Sequence, residues 1–146
     1  MAVKVYTVAQ ANRVLPVVAT AIRRLRADFP EILRIQDRLS VLALLGGEGE
    51  ASPEHREFVA VREELEALVV RYNERLEQLQ RIGCIVKDLN LGLVDFYARK
   101  GARLVLLCWK LGEKRIQFWH ELEAGFAGRR PIRELERDED ENRREA

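Results

Sequence analysis

Several residue types that carry recognisable chemistry are scarce in this chain. It has two cysteines and two histidines in 146 residues. Cys84 and Cys108 lie far apart and form no CxxC pair. That excludes a zinc-ribbon spacing and argues against a disulfide scaffold, so two reduced thiols in a cytosolic setting are expected. His55 and His120 lie farther apart still, which leaves no HExxH pair and no histidine cluster. Neither sign of charge prevails. The chain has 25 Lys and Arg against 24 Asp and Glu, a formal net charge of +1. A duplex-DNA binder usually carries a clear basic excess that displaces counterions, so nucleic acid is not an expected partner. No apolar run approaches the ~18 residues of a membrane span. The start MAVKVYTVAQAN lacks the basic and apolar segments of a secretory signal, so no membrane association is expected.

The residues present are those of a globular domain: 47% hydrophobic and 34% charged. The first half has helical periodicity. Thr7 followed by Gln10 is a capping-box pattern. Val8, Ala11, Leu15, Val18, Ile22, Leu25 and Phe29 then recur at three- and four-residue spacing. Pro16 falls inside this stripe and predicts a kink. Asp28-Phe29-Pro30-Glu31 reads as the start of a second helix, with Asp28 as cap and Pro30 in the first turn. That helix would carry Ile32, Ile35, Leu39 and Leu42 inward and end at the glycines of Gly46-Gly47-Glu48-Gly49-Glu50. Ser52-Pro53-Glu54 opens a third helix, buried through Phe58, Val61, Leu65, Leu68, Tyr72, Leu79 and Ile82 and interrupted by Arg75. About thirty residues of helix span ~45 Å. Such a helix either packs along the others as a long hairpin or offers part of its stripe to a second chain, which predicts a homodimer.

After Gly83 the period changes from helix to strand. Cys84-Ile85-Val86 is a short strand, and Leu91–Ala98, Arg103–Lys110 and Arg115–Leu122 are longer ones joined by Gly-bearing turns. The fold class expected is α+β: antiparallel helices followed by an antiparallel β-meander of three to four strands. A single domain spans 1–132, and residues 133–146 form a charged tail, frayed helix or disordered.

Side chains alternate across a strand, so loop length decides which residues share a face. With Lys100-Gly101 and Gly112-Glu113 as two-residue turns, Val94, Phe96, Val105, Leu107, Trp109, Ile116, Phe118 and His120 would face the helices. Leu93, Asp95, Tyr97, Leu106, Cys108, Trp119 and Glu121 would face away. The outer face would be an acid and aromatic surface open to a partner or a ligand. Two function classes follow. One is a non-enzymatic, self-associating interaction module. The other is a small-molecule or divalent-metal-dependent enzyme with Asp95 and Glu121 holding a cation or exchanging protons, Tyr97 and Trp119 stacking on the substrate, and Arg129 holding an anion. No cofactor beyond that cation is expected. In this layout His120 is a core residue. Cys108 and His120 form a nucleophile–base pair only if they share a face.

Specific strings add to this reading. Tyr6-Thr7, Ala11-Asn12 and Leu15-Pro16 come first. Gly92-Leu93-Val94-Asp95-Phe96, Leu107-Cys108-Trp109, Gly112-Glu113, Trp119-His120-Glu121 and Gly125-Phe126-Ala127-Gly128-Arg129 follow. From about Tyr6 to Ile132 the chain resembles the prokaryotic family catalogued as domain of unknown function 2203. The resemblance implies a small cytosolic bacterial or archaeal protein and no particular activity. Its motif residues here are Asp88, Asp95, Cys108, Trp109, Glu113, Trp119, His120, Glu121 and Arg129.

Overall fold

The structure is a computed structural model that describes residues 3–145. Thr7 and Gln10 form the expected box: Gln10 N–H donates to Thr7 Oγ1 at 3.1 Å and Thr7 N–H to Gln10 Oε1 at 3.0 Å. They open helix α1, Val8–Leu44. No second helix begins at Asp28. The helix runs through both Pro16 and Pro30, and Asp28 pairs with Arg75 instead of capping. Each proline removes one backbone donor. The apolar stripe on both sides of it, from Val18, Ile22 and Leu25 to Ile32 and Ile35, is buried and holds the helix continuous. At the end, Gly46 takes a positive φ of 86°, with Gly47 N–H on Leu42 O and Gly46 N–H on Ala43 O. This pairing of crossed bonds around a left-handed glycine closes the last turn. Helix α2 spans His55–Ile82.

The chain divides into two compact units, Met1–Ile22 with Gln78–Ala146, and Arg23–Glu77. The second unit contains only helix and its connector. Ile32, Ile35 and Leu42 of α1 share one buried cluster with Phe58, Val61 and Leu68 of α2. Asp28 pairs with Arg75, the Phe29 ring meets Tyr72, and Arg38 pairs with Glu57. Partners thus run in opposite sequence order along the two helices. Arg75, which breaks the apolar pattern of α2, is explained by its bond to Asp28.

The first unit holds an antiparallel sheet in the order β1 (Ile85–Asp88), β2 (Leu93–Lys100), β3 (Arg103–Lys110), β4 (Phe118–Glu121) and β5 (Arg130–Pro131). Among the described residues there are five strands, against the three to four expected. The additions come from the two-residue β5. Helix α3, Arg133–Glu145, follows where a frayed or disordered tail was an option. Leu135 is its one buried residue, and Asp138 and Glu139 reach Lys100 Nζ and Val8 N–H.

Register decides the rest. The β2–β3 turn places Val94 opposite Trp109, where a Lys100-Gly101 loop would have placed Leu107. That is a slip of two, which keeps every side chain on its expected face. The β3–β4 connection is not a two-residue loop. Residues 111–117 leave the ladder, Ile116 N–H turns to Asn12 Oδ1 at 2.7 Å, and Leu107 faces Trp119 instead of Phe118. This slip is one residue, so the whole of β4 is inverted relative to the expectation. Trp119 joins Val94, Phe96, Val105, Leu107 and Trp109 on the apolar face, each no more than 2% exposed. His120 and Phe118 join Asp95, Tyr97, Leu106 and Cys108 on the other.

Candidate functional site

The inversion of β4 brings together side chains that sequence spacing kept apart. Asp95 and Cys108 are cross-strand partners, and His120 enters from β4. One donor atom from each lies within 4.8 Å of the others, and all three residues are about 2% exposed. His120 Nε2 is 3.3 Å from Asp95 Oδ2. His120 Nδ1 is 2.7 Å from the Glu121 carbonyl oxygen. A carbonyl can only accept, so Nδ1 carries the proton and Nε2 is turned toward Asp95. The imidazole therefore does not stand between thiol and carboxylate as in a nucleophilic triad.

The three groups are shielded from bulk solvent. Burial pushes the Asp95 carboxyl above its usual range. The charge on His120, a hydrogen bond from the Cys108 thiol and the charge on Lys87 act against this. Burial likewise raises the Cys108 thiol, and a hydrogen bond from Arg129 opposes the rise. That bond runs from Arg129 Nε–H to Cys108 Sγ at 3.3 Å, with Nη2 on Cys108 O at 3.3 Å. The rest of the guanidinium is taken by Glu113, through Nη1 to Oε2 at 3.0 Å and Nη2 to Oε1 at 2.6 Å. Its faces are covered by Phe118 and Phe126, whose ring centroids lie 4.3 and 4.5 Å from Cζ. Glu113 itself is held at the start of the 111–117 connection, where it accepts from Lys110 N–H. The other cysteine, Cys84, has its thiol pushed up to about 11 by burial, against a backbone hydrogen bond that lowers it, and takes no part in the cluster.

The three groups form one wall of a cavity of about 220 Å³. Leu93, Leu122 and Phe126 supply its apolar lining, with Lys87 and Glu123 as its remaining charged residues. Gly125, with φ of 63°, turns the chain into the short 3-10 segment Phe126–Gly128 that carries Phe126 over the site.

Several expected roles change with this geometry. Asp95 and Glu121 lie on opposite faces, so they share no cation. Glu121 pairs with Arg103 at 2.6 Å. Trp119 is fully buried and its ring is already covered by Arg130 Cζ and Lys100 Nζ, 5.1 and 5.6 Å from its centroid, so it offers no stacking surface to a ligand, and Nε1 has no hydrogen-bond partner among the described residues. Tyr97 stays on the Asp95 face, half-buried, opposite Leu106. Arg129 is committed to Glu113 and Cys108, so it is no free anion holder. The structure unites His120, Cys108, Asp95 and Arg129. Sequence reasoning did not foresee Glu113 as the counterion of Arg129, nor Phe118 and Phe126 as its covers. Glu113 and Phe126 stood in the strings that carry the family resemblance, and Phe118 had no signal.

The family described as "Uncharacterized conserved protein (DUF2203)" matches residues 4–132. No curated protein and no solved structure matches the chain.

Proposed function

The chain belongs to the DUF2203 family, and from that premise we propose that it is an enzyme acting on a small molecule at the Asp95–Cys108–His120 cavity. One observation carries this reading: three chemistry-bearing side chains converge, fully buried, on the wall of a cavity that Leu93, Leu122 and Phe126 line beside Lys87 and Glu123. Burying a carboxylate, an imidazole and a thiol together costs stability that apolar residues of similar size would not, and proteins tolerate such costs at functional sites. The volume lies below the ~300–1,000 Å³ of drug-sized sites, which suits a metabolite of modest size. Its polar head would meet the three groups and its apolar part would lie against Leu93, Leu122 and Phe126. The exposed acid–aromatic surface that favoured a pure interaction module is dismantled by the β4 register, which weakens that alternative. A cytosolic, prokaryotic setting fits both free cysteines and the family resemblance.

The test is a fragment screen by ligand-observed NMR on wild-type protein and on Leu122→Trp, which fills the mouth of the cavity from an exposed position. Binders that disappear in Leu122→Trp are expected. An absence of binders, or binders indifferent to the tryptophan, removes the reading.

Self-association is a second reading, favoured by one feature of the helical unit. Phe29, Leu33, Val41 and Val70 are each at least 46% exposed on paired helices that we read as a hairpin. Light scattering at high protein concentration is expected to give the mass of a dimer. A monomer throughout the concentration range ends that reading.

A further inference from the structure

The geometry points to a metal centre: we propose that Asp95, Cys108 and His120 bind one divalent transition-metal ion of the zinc class, with the fourth position open to the cavity. This rests on, and deepens, the reading of the cavity as a small-molecule site.

Four observations converge. The first is distance. Two donors on one tetrahedral ion lie roughly 3.3–3.8 Å apart, given bond lengths of ~2.0–2.3 Å. His120 Nε2 and Asp95 Oδ2 are 3.3 Å apart, and the thiol lies within 4.8 Å of both, so an ion would draw the thiol in by up to about 1 Å. The second is the tautomer. With Nδ1–H donated to the Glu121 carbonyl, Nε2 is the ring atom left to face Asp95 Oδ2, at 3.3 Å, a position that a proton or a metal ion can fill. A ring N–H anchored on a backbone carbonyl, with the other nitrogen facing inward, is the usual support of a metal-bound histidine.

The third is charge. A carboxylate and a thiolate cancel a dication, so the loaded site is neutral in its buried surroundings, and the adjacent Arg129 is already balanced by Glu113. Arg129 Nε–H on Cys108 Sγ supports the thiolate form that a metal requires. The fourth is donor type. One sulfur, one nitrogen and one oxygen suit zinc, cobalt, nickel or iron better than magnesium or calcium, which prefer oxygen alone. Three protein ligands beside a cavity match catalytic centres, which keep a position for water or substrate, and not closed structural ones. Glu121 has no place in this set. Arg129 is a positioning residue, acting on the ion through Cys108.

Metal analysis of protein purified without chelators is expected to give close to one equivalent of a transition metal per chain. After chelation and reloading with cobalt(II) alone, a sulfur-to-cobalt charge-transfer band should appear. Cys108→Ser should abolish the band while Cys84→Ser keeps it, and Arg129→Gln should weaken cobalt affinity about 10- to 100-fold with the band retained. X-ray absorption on the loaded wild-type protein needs no variant and should find one sulfur neighbour at ~2.3 Å with lighter donors at ~2.0 Å. Cobalt uptake without a sulfur neighbour, or uptake unchanged in Cys108→Ser, overturns the assignment. Failure to bind zinc, cobalt, nickel or iron(II) does so too. If metal uptake fails while fragments still bind in the Leu122-gated cavity, the metal assignment falls and the small-molecule reading stands.

Discussion

Gly92 shows at a single residue how backbone freedom positions the site. It sits just before β2 with φ of +69°, and its carbonyl accepts from Leu111 N–H at 2.9 Å. A Cβ built there would meet Leu111 Cβ at 2.5 Å. Left-handed geometry costs an L-residue roughly 1–2 kcal/mol, and the clash adds to it. Gly92→Ala is therefore expected to lose at least ~2 kcal/mol, read from the midpoint of urea denaturation. The same close approach clamps the start of the 111–117 connection to the start of β2, three residues before Asp95. Its glycine was visible in the sequence, but its reason was not, because the partner atoms belong to a loop remote in sequence. Arg129 is comparable. Its place in a glycine-bearing string marked it as a candidate, yet its partners Glu113, Phe118 and Phe126 come together only through the fold.

Among the elements, the helices were the most legible part. Periodicity and caps locate the start of α1, its end and the whole of α2 to within a few residues, though they divide α1 in two at Asp28. The break expected at Asp28 fails because a local start signal competes with a buried stripe on both sides, and the stripe prevails. Asp28 is left to serve packing between helices, with its side chain and that of Arg75 each about 20% exposed. Arg75→Ala strands that carboxylate and is expected to cost about 1–3 kcal/mol. The exposed pair Arg34–Glu31, with side chains 75% and 40% exposed, gives a contrast. Arg34→Ala should leave the unfolding midpoint nearly unchanged. Thermal unfolding of both variants checks the two outcomes. Equal effects would contradict this assignment of Arg75.

For the whole molecule, the segment read as a polar tail turns out to bind the beginning of the chain. Glu139 of α3 accepts from Val8 N–H at 3.1 Å, across 131 positions of sequence. Burial holds its carboxyl above the usual range; the bond from Val8 pulls it down, Glu136 and Asp140 push it up, and Arg143 lowers it. A carboxyl raised in the folded state favours folding while protonated. Its contribution is complete below the ordinary value of ~4.3 and is lost as pH rises through the raised value. Glu139→Gln keeps an acceptor for Val8 and removes that loss. The variant should gain in Tm relative to wild type as pH rises from acid toward neutrality, and a constant difference across that range would contradict this account. What the sequence by itself determined is the succession of helices and then an antiparallel sheet, the α+β class and the family, because capping, periodicity and glycine punctuation are local signals. The two faces of the sheet were decided by tertiary structure. The 111–117 connection leaves the ladder, with Ile116 on Asn12 and Glu113 on Arg129, and its one-residue slip carries Trp119 into the core and His120 to Cys108 and Asp95. A period of two gives no warning of such a slip, since either face assignment satisfies the same alternation until the register is set.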